Sequence, residues 1–171
     1  MNFHPTKFGY SAVVALVAVI AVVPTISGAS GARIHSLAKA KMTTTLPKVS
    51  AHAGVAPIIS KPVGPAPTTL ITKDIIVGKG KAAVSSSKVK AQYVVMSWKT
   101  GVIYQTSWTG QPFEAYLNSL ILGWQKGIPG MKVGGRRLFV IPPALAYGPS
   151  GYSNIPGNAT LVFVVDLLGV K

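Results

Sequence analysis

The apolar runs of residues 70–171 are short, and glycine or proline closes most of them. That punctuation leaves no room for long helices and favours strands joined by tight loops. "RRLFVI" reads as a strand halted by Pro142 and Pro143, because proline has no N–H to give a ladder. "VKAQYVVMSW" is another, with Val89, Ala91, Tyr93 and Val95 on one face. "ATLVFVVDLLGV" is a third, and Leu161, Phe163, Val165 and Leu167 share its face. Asp166 falls out of phase with that set and is expected to point to solvent. "DIIVGKG" reads as a first, edge strand, and "LILGWQKG" suits only a helical turn or two, ended by Gly127. The expected fold is therefore α+β: a twisted antiparallel β-sheet, a half-barrel, wrapped around one short α-helix.

Two segments of different material precede this domain. Residues 1–32 have the form of a secretory signal peptide: Lys7 as a positive start, an apolar stretch over 11–23, then "SGASGA" with small residues for cleavage. The alternative is an uncleaved N-terminal membrane anchor, since no charge lies between Lys7 and Arg33. Either reading puts the remainder outside the cytoplasm, as a secreted, periplasmic or envelope-associated protein. Residues 33–69 are rich in proline, alanine and lysine and hold no acid and no aromatic residue. Such a stretch buries too little apolar surface to offset its chain entropy, so a disordered or extended linker is expected.

Composition removes most kinds of chemistry. The chain has no cysteine, which excludes disulfides and thiolate catalysis. His4, His35 and His52 all precede the domain, whose only carboxylates are Asp74, Glu114 and Asp166. No metal site, serine triad or phosphate loop can be assembled from that set. General acid–base and nucleophilic enzymes are close to excluded, and no cofactor is implied. The net charge of +14 would suit a phosphate footprint. The lysines are scattered, however, and export removes most nucleic acid, so no nucleic-acid partner is expected.

One kind of catalysis needs neither a proton transfer nor a nucleophile. Rotation about a peptide bond faces a barrier of roughly 18–20 kcal/mol, set by resonance that polarises the planar form. A pocket that excludes water disfavours that polarised form, and about 1.4 kcal/mol off the barrier gives tenfold in rate. Such a pocket needs apolar aromatic walls and one or two hydrogen-bond donors. The domain supplies Tyr93, Tyr104, Phe113, Trp124, Tyr147 and Phe163. On residue types alone, the simpler reading is that these rings fill the core.

The order of motifs shifts that balance. "ILGWQKGIPGMKVGGRRLFVIPPALAYG" followed by "IPGNATLVFVVDLL" resembles the FK506-binding-protein (FKBP) type of peptidyl-prolyl cis-trans isomerase. The likeness extends upstream through "VKAQYVVMSWKTGVIYQTSWTGQPFE" and covers about residues 70–171. The resemblance implies a pocket between sheet and helix, with Trp124 as its floor and Tyr93, Phe113 and Phe163 as side walls, and Tyr104 is counted among its catalytic aromatics. It implies Leu120 and Ile121 at the rim, the Ile121 N–H and the Tyr147 hydroxyl as donors to substrate carbonyls, and Ile155 as a cover. Gln105 stands where the family usually carries an aspartate beside the pocket, and can still accept a hydrogen bond. The implied activity is isomerisation of Xaa-Pro bonds in exported proteins. The alternative is a catalytically weak module that holds proline-containing segments. Implied partners are proline-containing polypeptides and macrolides of the FK506 or rapamycin kind, and a monomer is expected. Arg136 and Arg137, which open the "RRLFVI" strand, are given no catalytic part.

Overall fold

A computed structural model describes residues 43–171. The signal-peptide or anchor reading of residues 1–32, and the start of the linker, lie outside the described residues. Six antiparallel strands form one sheet: β1 (Ile71–Ile76), β2 (Lys88–Ser97), β3 (Ile103–Thr106), β4 (Phe113–Tyr116), β5 (Arg136–Ile141) and β6 (Leu161–Val170). Their order is β1-β5-β6-β2-β3, and β4 pairs with the first part of β2. Among the described residues the only α-helix, α1 (Leu122–Gly127), has six residues. So short a helix has no stability of its own and is held by packing. Two glycines permit that packing. A Cβ on Gly123 would stand 2.5 Å from Ile141, and one on Gly127 2.5 Å from Phe139. The helix therefore lies flat on β5.

The central strands are buried on both sides, which is why "LVFVVDLL" shows little alternation. Val89, Ala91, Val95, Phe139, Ile141, Leu161, Phe163, Val165 and Leu167 face α1 and form the larger core. Met96, Trp98, Leu138, Val140, Val162 and Val164 face the other way. That second face is where the expectation of a disordered linker departs from what the described part, residues 43–69, shows. Residues 43–69 are extended, but they are not a free linker. Leu46, Val49 and Ile59 pack on the second face, and Pro47 and Pro62 are buried. The segment folds back on itself through bridges Thr45–Val63 and Val49–Ile59. We call it the strap.

Polar ties hold the strap where apolar contact alone would be thin. Arg136 is fully buried. It forms a bidentate pair with Asp166, its register partner on β6, at 2.5 and 2.7 Å. Its remaining donors reach the Ser50 carbonyl at 2.9 Å and the Val55 carbonyl at 2.7 Å. The Trp98 indole N–H donates to the Gly64 carbonyl. Asp166 is thus buried and paired rather than solvent-facing. Its phase along β6 is as expected, but the face it points to is covered. Arg137 pairs with Asp74 of β1 and donates to the Gly127 carbonyl at 2.7 Å, pinning the end of α1 to the sheet.

Candidate active site

The helix side of the sheet carries a cleft of about 250 Å³. β2 contributes Tyr93 and Val95, β3 Gln105, β4 Phe113 and β6 Phe163. Leu120, Ile121 and Trp124 come from the entry to α1 and its first turn. Tyr147 and Tyr152 come from the loop after β5. The lining contains no charged side chain.

Three rings meet Trp124. Its centroid lies 5.7 Å from Tyr93, 5.9 Å from Phe113 and 5.7 Å from Phe163, at interplanar angles between 81° and 87°. Tyr93 meets Phe113 edge-on at 5.7 Å. Edge-to-face pairs are each worth about 0.5–1.5 kcal/mol beyond area burial, so the cup is rigid. Trp124 is almost fully buried, and its indole N–H has no protein acceptor among the described residues. The Ile121 N–H, at the entry to α1, likewise has none, since the first N–H groups of a helix lack intrahelical partners.

Tyr147 is half-buried and stacks on Tyr152 with centroids 5.2 Å apart and planes within 16°. Burial pushes its phenol above the ordinary value, and Tyr152 adds to the effect. Tyr93 is raised by burial and then by Tyr147. Both phenols are therefore neutral donors well past neutral pH.

Of the ten residues the sequence singles out, the structure brings eight together around this cleft: Tyr93, Gln105, Phe113, Leu120, Ile121, Trp124, Tyr147 and Phe163. Two stand elsewhere. Tyr104 packs against the larger core but borders a neighbouring hollow. On β3 the next residue, Gln105, lines the cleft instead. Ile155 is buried in the core, turned inward by the tight Tyr152–Ile155 turn that both backbones close. Tyr152 takes the rim in its place. Sequence reasoning missed Val95, Ser119 and Tyr152. Tyr152 was open to discovery, as an aromatic residue five places after Tyr147 in a glycine-rich loop.

Comparison with known proteins decides the family. Residues 79–168 match the family described as FKBP-type peptidyl-prolyl cis-trans isomerase. The chain belongs to that family. It is 50% identical over 113 residues to the probable FK506-binding protein of Corynebacterium glutamicum, covering 66% of this chain and 96% of that protein. It is 40% identical over 119 residues to the FK506-binding protein of Streptomyces anulatus, again covering 96% of it. Among solved structures, FkpA from Escherichia coli superposes with a TM-score of 0.57 at 41% identity, over 61% of this chain and 49% of that one. These FKBP structures share the open antiparallel sheet described above. The chain is accordingly a peptidyl-prolyl isomerase, and proline-containing segments are its substrates.

Proposed function

We infer that the aromatic cleft performs the isomerisation by removing water from the Xaa-Pro amide, with no acid, base or covalent step. The observation that carries this reading is a closed ring of Tyr93, Phe113, Trp124 and Phe163 in a cleft without one charged side chain. The proline ring rests on Trp124, between the other three rings. In that setting the polarised planar amide loses solvation, while the twisted form loses little. The Ile121 N–H and the Tyr147 hydroxyl hold carbonyls of the substrate chain on either side of the turning bond. Leu120 and Tyr152 border the entrance. Tyr104 and Ile155 support these walls from behind rather than touching substrate.

The N-terminal pattern of residues 1–32 supports a role outside the cytoplasm, on proteins that fold after export. There, uncatalysed proline isomerisation takes tens of seconds or longer. FK506-like macrolides compete for the same cleft, and the domain acts as a monomer, tethered if the N-terminal segment is retained. A second reading rests on Gln105, a neutral side chain on the cleft wall. With no carboxylate in the lining, binding outlasts catalysis and the domain works mainly as a holder of proline segments.

A refolding or protease-coupled assay on a proline tetrapeptide separates these readings. Trp124→Leu should lower kcat/KM at least tenfold and Tyr147→Phe by about two- to tenfold, the size of one hydrogen bond. Tight peptide binding at background isomerisation rates would select the second reading. Activity unchanged in both variants would remove the cleft from the mechanism.

A further inference from the structure

Beside the cleft lies a larger hollow of about 940 Å³, one wall of which lies outside the family match. One wall is the strap, at Lys61, Pro62 and Gly64, which precedes the matched residues 79–168. The opposite wall is Trp98 and Lys99 at the end of β2, with Tyr104 of β3 and residues 156–160 of the loop before β6. The strap wall is fixed in place by the Trp98–Gly64 hydrogen bond at 3.1 Å.

Hollow and cleft share two elements. On β3, Tyr104 borders the hollow and Gln105 the cleft. In the loop, Tyr152 borders the cleft and Pro156 the hollow. Asn154 bonds the Tyr104 carbonyl at 3.1 Å, so a single ridge separates the two. The charge of the hollow is one-sided. Lys61 and Lys99 are exposed, and no carboxylate lines it. The three acids of the whole chain are all committed elsewhere: Asp74 to Arg137, Glu114 to Lys88 and Lys90, Asp166 to Arg136.

We propose that this hollow is an extended substrate site, which takes an acidic stretch of the polypeptide whose proline occupies the cleft. The proposal rests on the cleft being the isomerase site. A chain leaving the cleft past Gln105 and Tyr152 crosses the Tyr104–Asn154 ridge and meets two lysines with no competing carboxylate. Trp98, Tyr104, Pro62 and Pro156 give its backbone an apolar bed. The hollow is large enough for several residues, within the usual range of ligand sites. The strap thereby gives this chain a preference that the family domain alone does not encode.

The test uses the full chain and two peptides with one Xaa-Pro core, one carrying a three-glutamate tail and the other a three-glutamine tail. At low salt the glutamate peptide should have a KM roughly three- to tenfold lower at similar kcat, the size expected of two solvent-screened ion pairs. The advantage should fade as salt shortens the screening length. Lys61→Ser with Lys99→Ser should abolish it and leave the glutamine peptide unchanged. Lys73→Ser with Lys81→Ser, an equal change of net charge elsewhere, should preserve most of it. Equal KM values for the two peptides, or an equal loss in both double variants, overturns the site. If neither peptide is isomerised but the glutamate peptide still binds through Lys61 and Lys99, the isomerase reading fails and the acidic site stands.

Discussion

The two faces of the sheet are built by different means. On the helix face, apolar and aromatic side chains from five strands and α1 interlock, and Tyr93, Tyr147 and Gln105 bring polar groups to the cleft. On the strap face, a proline-rich segment without internal helix or long strand is held by three partly buried aliphatic residues and by a buried arginine. The first face has no ion pair inside its apolar core, and Arg137 with Asp74 pins only the end of α1. The second face depends on an ion pair. A sheet face short of a hydrophobic partner can be covered by irregular chain, provided the backbone carbonyls of that chain find a donor. Arg136 supplies it twice, to Ser50 and Val55, while Asp166 balances its charge.

That contrast predicts its largest effect at Asp166. Asp166→Asn leaves the guanidinium of Arg136 buried without a counter-charge, a change that costs about 3–5 kcal/mol. Urea unfolding should register the loss. Isomerase activity of the fraction still folded should stay within about twofold, because the ion pair lies on the opposite face from the cleft. A loss below about 1 kcal/mol would mean that water reaches the pair and that the strap does not seal the face. An apolar double replacement, Arg136→Met with Asp166→Leu, should recover part of the stability. It should also release the strap, since Ser50 and Val55 lose their donor.

The two faces were not equally legible in the sequence. The inward sets on β2 and β6 could be read from period-two spacing, and β5 from the "RRLFVI" run with its proline stop. The resemblance supplied the residues that gather at the cleft. β3 and β4 are four residues each and lie in a stretch mixed with glycine, serine and glutamine, too short for periodicity to mark. The strap escaped for a different reason. Its apolar residues, Leu46, Val49 and Ile59, follow no helix or strand period, and composition alone argues for disorder. What orders it is a set of distant partners: an arginine 86 residues from Ser50 and an indole 34 residues from Gly64. The unalternated apolar runs of β5 and β6 are consistent with a second buried face, a signal the sequence reading left unused. They could not say which segment covers it. The same omission misplaced Asp166, whose phase was right and whose surroundings were not.

A smaller effect tests the cohesion of the helix face. In Gly123→Ala, the new methyl would stand 2.5 Å from Ile141 Cγ2, so helix or strand must shift. Overpacking of this kind costs about 1–3 kcal/mol. Because Trp124 is the next residue, substrate KM should rise as well. Ile141→Val in the same chain removes a methyl from the crowded side and should return part of both losses, a coupling that a double-mutant cycle measures. Independent, additive effects would show that α1 does not bear on β5 there. On the strap face, Ile59→Ala removes a partly buried side chain and should cost less, about 1–2 kcal/mol. Hydrogen exchange at the Thr45 and Ser60 amides, which bond within the strap, should quicken while amides of the central strands keep their protection. Uniform loss of protection would mean that strap and sheet unfold as one unit.

The smallest effect, and the one most specific to the cleft, is the pH dependence carried by Tyr147. Its phenol donates only while protonated, and burial followed by the neighbouring Tyr152 raises its pKa above the ordinary 10.0. A raised value means that the fold favours the neutral phenol. Its contribution is therefore complete below the pKa of the unfolded chain and is lost only as pH climbs through the higher folded value. Isomerase activity should accordingly be flat through neutral pH and decline only at alkaline pH beyond the usual phenol range. Tyr147→Phe should lower kcat/KM by about two- to tenfold at neutral pH and lose that part of the alkaline decline. Tyr152→Leu keeps the hydroxyl of Tyr147 but removes its stacking partner and one cause of the raised value. Its alkaline limb should move toward the ordinary phenol pKa, with a smaller change in neutral rate. The strap face gives the control: Ile59→Ala should leave the profile where it was, because no titrating group of the cleft touches that side of the sheet.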